Sequence, residues 1–254
     1  MRMQGKVAVV TGAGSGFGEG IVRKFVAEGA RVVVADLNGE AAQKVASSLG
    51  DAAVALRADV SAAADVQAML DTALSRFGQA DILVNNAGVG HLPQPLETLD
   101  EAEFDRIVAV NMKAVYHAMK VFVPHLKSRE RDARGIRGVV LNVASTAGVS
   151  PRPRLAWYNA SKGWVITATR ASAVELAPAG IRVNALNPVA GETPMLATFM
   201  GEDTPEMRAK FLSTIPLGRF STPEDLGNAA CYLCSDEASM ITGVCMEVDG
   251  GRCI

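Results

Sequence analysis

The stretch from Lys6 to Asp36 constrains the fold most. Lys6 to Thr11 (K-V-A-V-V-T) is a short Val-rich run bounded by glycine, the pattern of a strand buried on both faces. Gly12-Ala13-Gly14-Ser15-Gly16-Phe17-Gly18 follows at once, and apolar residues then recur with helical spacing through Ile21, Phe25 and Val26 to Gly29. Arg31 to Ala35 is a second apolar run, closed by Asp36. A helix between two such strands predicts a parallel pair. Glycines let the turn approach a pyrophosphate, and the helix N-terminus offers it free N–H groups and partial positive charge. A carboxylate at Asp36 can accept hydrogen bonds from both hydroxyls of a ribose and repels a 2′-phosphate, which favours NAD(H) over NADP(H). Alternatively, Asp36 is a strand-end acid capping the turn Asn38-Gly39.

The alternation continues along the chain. Asn38 to Leu49 reads as a helix, Ala52 to Arg57 as a strand leading to Asp59-Val60, and Ser61 as the cap of a helix through Val66, Met69, Leu70 and Phe77. Ala80 to Val84 is a fourth strand running into Asn85-Asn86-Ala87-Gly88; the two asparagines are either turn formers or amides that tie strands together and support a cofactor. A long helical segment starts at Asp100 and carries Asn111 in its interior. Asn is a poor residue there unless it is exposed, self-satisfied or needed for chemistry. The charged stretch Ser128 to Arg137 reads as a solvated surface excursion. Gly138 to Ser145 is a fifth strand with Ser145 at its carboxyl end, where open parallel sheets bind ligands. Tyr158 and Lys162 lie one helical turn apart. They are either an ordinary surface pair or a phenol whose proton a neighbouring cation makes easier to trade. Ile181 to Leu186 and Gly243 to Val248 complete seven strands, with Thr222-Pro223-Glu224-Asp225 a strong helix start between them. The economical topology is one doubly wound α/β domain over residues 1–254, a seven-stranded, mostly parallel sheet with helices on both faces. A lid-like excursion falls around residues 190–215.

Bulk properties exclude some classes. The 25 basic and 27 acidic residues leave a formal charge of -2, so no nucleic-acid surface is expected. No run approaches the roughly 18 apolar residues of a membrane span, and Met1 to Lys6 lacks a signal-peptide pattern. A soluble, cytoplasmic protein is expected. Cys231 and Cys234 form a C-x-x-C without a nearby His or second pair, which favours buried, reduced thiols over a metal or redox site.

In order and spacing, T-G-A-G-S-G-F-G (Thr11 to Gly18), Asp36, Asp59-Val60, N-N-A-G (Asn85 to Gly88), Asn111, Ser145, Y-N-A-S-K (Tyr158 to Lys162) and the D-G-G near the end resemble the short-chain dehydrogenase/reductase family over nearly the whole chain. The resemblance implies a Rossmann fold. Gly12, Ser15, Gly16, Phe17 and Gly18 would wrap the pyrophosphate of NAD(H), Asp36 and Leu37 would hold the adenosine ribose, Asp59 and Val60 would flank adenine, and Asn86 would lie near the other ribose. It makes Tyr158 the acid/base, Lys162 the group that lowers its pKa and bonds the nicotinamide ribose, Ser145 the residue that steadies the substrate oxygen, and Asn111 the anchor of a proton relay. The expected reaction interconverts a secondary alcohol and its ketone on a small-molecule substrate. A 3-oxoacyl thioester reductase and a dinucleotide-binding regulator are the alternatives. Relatives commonly form homotetramers, and the small face Ala160, Ala168 and Ala171 with Trp164 suits close helix packing.

Two departures from the family pattern stand out. Pro188-Val189 replaces the usual Pro-Gly, and Gly191 stands where the family has a β-branched residue; Gly191 and Thr193 are retained as cofactor contacts. The other is the charged stretch at residues 128–137, somewhat long for the family. The expected substrate pocket is apolar, with His91, Leu92, Ala147, Val149, Leu155, Met195 and Met200. Arg152 and Arg154 are expected at the surface, with attraction of an acidic substrate as the alternative.

Overall fold

All seven apolar runs form strands. In a computed structural model, which describes residues 1–254, these are β1 (Val7–Thr11), β2 (Arg31–Asp36), β3 (Ala53–Arg57), β4 (Ile82–Asn85), β5 (Gly138–Val143), β6 (Ile181–Pro188) and β7 (Cys245–Val248). They make one sheet in the order β3-β2-β1-β4-β5-β6-β7, with every neighbouring pair parallel. The α-helices are α1 (Gly16–Ala27), α2 (Gly39–Ser47), α3 (Ala63–Phe77), α4 (Glu101–Ile107), α5 (Ala114–Ser128), α6 (Ala156–Leu176), α7 (Met195–Met200), α8 (Pro205–Leu212) and α9 (Pro223–Cys234). Strand residues alternate between two apolar layers. Ala8 and Val10 pack with α1, α2 and α9 on one face, while Val7 and Val9 pack with α3, α5 and α6 on the other. Both faces are therefore dry, which explains why the strands lack polar alternation. The strand order reverses between β1 and β4, and a doubly wound sheet opens its binding crevice at the carboxyl ends there.

Local differences from the sequence reading have identifiable causes. Ser61 does not cap α3: its hydroxyl donates to Asp59 Oδ1 at 2.7 Å, and Asp65 Oδ2 accepts from the Asp59 N–H at 2.8 Å, so the cap position falls to Ala62. The long helix expected from Asp100 is interrupted by a π-helical turn at Val108–Lys113, which contains Asn111. The stretch after Ser128 is more than a solvated excursion. Arg129 pairs with Asp81, whose other oxygen accepts from the Val7 N–H at 2.6 Å; Arg137 and Arg131 donate to the backbone carbonyls of Ala179 and Pro178. Cys231 and Cys234 are free thiols in the core, and burial pushes the Cys234 thiol up to about 12. No helix is long and apolar enough to cross a membrane.

Candidate active site

The carboxyl ends of β1, β4, β5 and β6 border a cleft of about 350 Å³. At one end lies the glycine turn. Gly12 has φ +61°, which favours glycine, and a Cβ there would sit 2.8 Å from the Ala87 Cα, so this position requires glycine twice over. Asn86 fastens that turn to β4, its Nδ2 donating to the carbonyls of Thr11 (2.8 Å) and Gly12 (3.0 Å). Thr11 Oγ1 accepts from the N–H groups of Asn86 and Ala87, both at 3.0 Å. Asn85 is buried and donates to Asn142, which donates to Thr169 on α6. The asparagine pair therefore ties strands, turn and helix together.

Ser15 precedes α1 without capping it, so the first-turn N–H groups have no side-chain partner. Asp36 Oδ2 accepts from the Gly14 N–H and Oδ1 from the Asn38 N–H, each at 2.8 Å. The acid thus does two things: it closes the turn after β2 and keeps lone pairs for further hydroxyl donors. Leu37, Asp59 and Val60 line the same end of the cleft, as do Ser15, Gly16 and Phe17; Gly18 lies beneath the turn. Uncapped N–H donors beside a diol-accepting carboxylate fit NAD(H).

At the other end, Ser145, Tyr158 and Lys162 share the cleft wall, and all three are buried. The Ser145 oxygen accepts from the Ala147 N–H at 3.0 Å, which leaves its proton free to donate elsewhere. The Lys162 ammonium donates to the Val143 carbonyl of β5 at 3.0 Å and lies 5.9 Å from the Tyr158 ring centroid. Burial pushes Tyr158 up to about 12, offset in part by its side-chain interaction with Ser145, and pulls Lys162 down to about 8. In the cleft as it stands, desolvation outweighs any help the lysine gives the phenolate. Asn111 is buried in the π turn. Its Oδ1 accepts from the Val89 N–H at 2.8 Å, and its Nδ2 donates to the Val89 carbonyl and to Ser161 Oγ on α6. The amide clasps the loop after β4 to α6 at the residue directly before Lys162, and only one Oδ1 lone pair remains for a water.

The matched family model, described as enoyl-(acyl carrier protein) reductase, covers residues 12–252. A 4-formylbenzenesulfonate dehydrogenase of Comamonas testosteroni is 48% identical, the match spanning 99% of each chain. A meso-2,3-butanediol dehydrogenase of Serratia marcescens is 39% identical over 99% of this chain and 96% of its own. A crystal structure from Brucella melitensis, described as a 3-ketoacyl-(acyl-carrier-protein) reductase complexed with NADH, superposes with a TM-score of 0.92 at 54% identity and covers 99% of this chain and 100% of its own. The chain belongs to the short-chain dehydrogenase/reductase family.

As a member of this family it departs at Gly191, and the structure gives the reason. A Cβ at Gly191 would overlap the Phe17 ring and lie 2.9 Å from the Ser221 carbonyl. Phe17 of the glycine turn occupies the space that a β-branched side chain would need. Thr193 donates its N–H to the Gly191 carbonyl at 2.8 Å and lies against Gly16, so both residues are at the cleft. On the substrate side Ala147, Leu155 and Met195 line the cleft, whereas His91, Leu92, Val149 and Met200 lie outside its wall. Sequence reasoning missed Phe199, whose ring lies 4.8 Å from that of Tyr158, and Phe211. Their only signal was the aromatic content of the excursion after β6. It also placed Arg152 at the surface, but Arg152 lines the cleft with its guanidinium over the Phe211 ring at 4.2 Å.

Proposed function

We propose that the chain is an NAD(H)-dependent oxidoreductase interconverting a secondary alcohol and its ketone, with Tyr158 as acid/base. The observation that carries this reading is one cleft holding the uncapped glycine turn and Asp36 at one end and Ser145, Tyr158 and Lys162 at the other. Bound there, the nicotinamide supplies or removes the hydride. The chain's own groups handle the oxygen. In reduction the Tyr158 O–H bond breaks and its proton goes to the developing alkoxide; in oxidation the phenolate takes the hydroxyl proton. Ser145 donates a hydrogen bond to the same oxygen, strongest when that oxygen carries charge. Lys162 holds positive charge beside the phenol and hydrogen-bonds the nicotinamide ribose, and Asn111 leads the proton toward solvent. Gly12, Ser15, Gly16, Phe17 and Gly18 hold the pyrophosphate, Asp36 and Leu37 the adenosine ribose, and Asp59 and Val60 the adenine. Asn86, Gly191 and Thr193 hold the nicotinamide half.

The relative named for a diol fits this class, and the one named for an aromatic aldehyde supports the broader dehydrogenase chemistry. The solved neighbour named for a 3-ketoacyl carrier-protein substrate supports a second reading, reduction of a 3-oxoacyl thioester. Following NADH absorbance with cyclic ketones and with an acetoacetyl thioester separates the two. Tyr158→Phe is expected to lower kcat by roughly 10²- to 10⁴-fold while NADH binding stays near wild type. Retained turnover refutes the acid/base assignment. The domain reading extends to a single unit over residues 1–254 with a mobile lid around 190–215. Its support is that Leu196, Met200 and Phe211 pack in a small cluster of their own with Val189, Ile215 and Phe220.

A further inference from the structure

Arg152 is held in place and left without an anion. Its backbone carbonyl accepts from Asn159 Nδ2 at 2.7 Å, which fixes the loop ahead of α6. Its guanidinium covers Phe211 and lines the same cleft wall as Ser145, Leu155 and Tyr158. None of its N–H groups donates to a protein acceptor within hydrogen-bonding distance, and Nη2 is enclosed without a partner. It joins none of the nine ion pairs of the chain. A second cation is anchored nearby. Arg252 Nη1 donates to Ser150 Oγ, two residues before Arg152, at 3.1 Å, its Nε is likewise enclosed without a partner, and its charge disfavours the Arg152 cation. Two partly buried guanidinium groups, neither of them paired with a carboxylate, are a costly arrangement, since each loses hydration and they repel each other. Stacking on Phe211 recovers only part of this cost. An anion entering the cleft would relieve both costs, and an oxyanion that offers two oxygens side by side, a carboxylate or a tetrahedral sulfonate, matches the guanidinium fork.

We propose that Arg152, backed by Arg252, binds an anionic group of the substrate, a carboxylate or sulfonate on the molecule whose carbonyl meets Tyr158. This rests on the dehydrogenase reading of the cleft and narrows it to hydroxy or oxo compounds bearing a fixed negative charge. The contact exists in ground state and transition state alike, so its removal falls on KM rather than kcat.

The test pairs 4-acetylbenzoate with its methyl ester, and 4-acetylbenzenesulfonate with the corresponding sulfonamide, as ketone substrates with NADH. Wild type should favour the charged member of each pair. Arg152→Met should raise KM for the charged ketones roughly 10- to 100-fold, the worth of one charge-assisted hydrogen bond of about 1.5–3 kcal/mol, while the neutral ketones change less than about twofold. Arg152→Lys should recover part of the loss for the anions. Equal losses for charged and neutral ketones would overturn the proposal, because they identify Arg152 as packing for Phe211 alone. A binding measurement separates this from failure of the dehydrogenase reading. With NADH saturating, 4-toluenesulfonate should raise the melting temperature of wild type and not of folded Arg152→Met. That result without turnover of any ketone leaves the anion site standing and refutes the dehydrogenase reading. Turnover of neutral ketones with no such stabilisation refutes the anion site.

Discussion

At the scale of single residues, Lys162 shows how a functional group can be a stability liability. Burial lowers its pKa from 10.5 to about 8, so the folded protein disfavours the ammonium that the unfolded chain carries freely. Its contribution to stability is therefore full above pH 10.5 and is lost as pH falls to about 8. One pKa unit corresponds to about 1.4 kcal/mol, so the swing is of the order of 3 kcal/mol. Tyr158 acts in the opposite sense at higher pH, because a phenol pushed up to about 12 costs stability as pH rises beyond its ordinary value of 10. That effect sets in above pH 10, outside the window in which the lysine titrates in the fold. Lys162→Met should therefore gain melting temperature relative to wild type at pH 7, in the protein free of cofactor, and the gain should shrink as pH rises from 8 to 10. A gap that does not change with pH would show that the lysine titrates normally in the fold.

At the scale of elements, the glycine turn and the helix that follows it were legible because their signals are local. Turn, helix start and strand-end acid are set by residues within about thirty positions of one another. Asn111 was legible only as an anomaly. The sequence shows an amide inside an apolar helix, but the π turn that accommodates it depends on partners at Val89 and Ser161, 22 and 50 positions away. Arg152 was misread for the same reason: its guanidinium stacks on Phe211 and feels the charge of Arg252, residues that no local pattern connects to it. The coupling of Phe17 to Gly191 sits between these cases, since each residue is visible but their contact is not. It yields a prediction for the joint between the glycine turn and the segment after β6. Gly191→Val should overpack against the Phe17 ring and the Ser221 carbonyl and cost about 1–3 kcal/mol. That is a drop of roughly 2–4 °C per kcal/mol for a chain of this size. Phe17→Ala combined with Gly191→Val should recover much of the loss in a double-mutant cycle. Additive melting temperatures would mean that the two side chains do not share the space.

At the scale of the whole molecule, the two long helices on one face are covered unequally. The inner side of α6 is packed through Val165, Ile166, Thr169 and Ala173, whereas Ala160, Trp164, Ala171 and Val174 are exposed. Tyr116 on α5 and Trp157 at the start of α6 are exposed as well. Large apolar side chains standing among alanines along a 21-residue helix make a surface on which a second helix can approach closely. The proposal at this scale is a homotetramer assembled through α5 and α6, in which this face is buried by other copies of the chain. Its consequence for the site is mechanical: α6 carries Tyr158 and Lys162, so an interface along its outer side would stiffen the helix that positions the acid/base. Trp164→Glu should place charge in that interface without touching the cleft, since Trp164 does not line it. In sedimentation velocity the variant is expected to run as smaller species at concentrations where wild type is tetrameric, with kcat falling together with the tetramer fraction. A wild-type chain that sediments as a monomer at every concentration would remove the assembly and, with it, this account of how α6 is held.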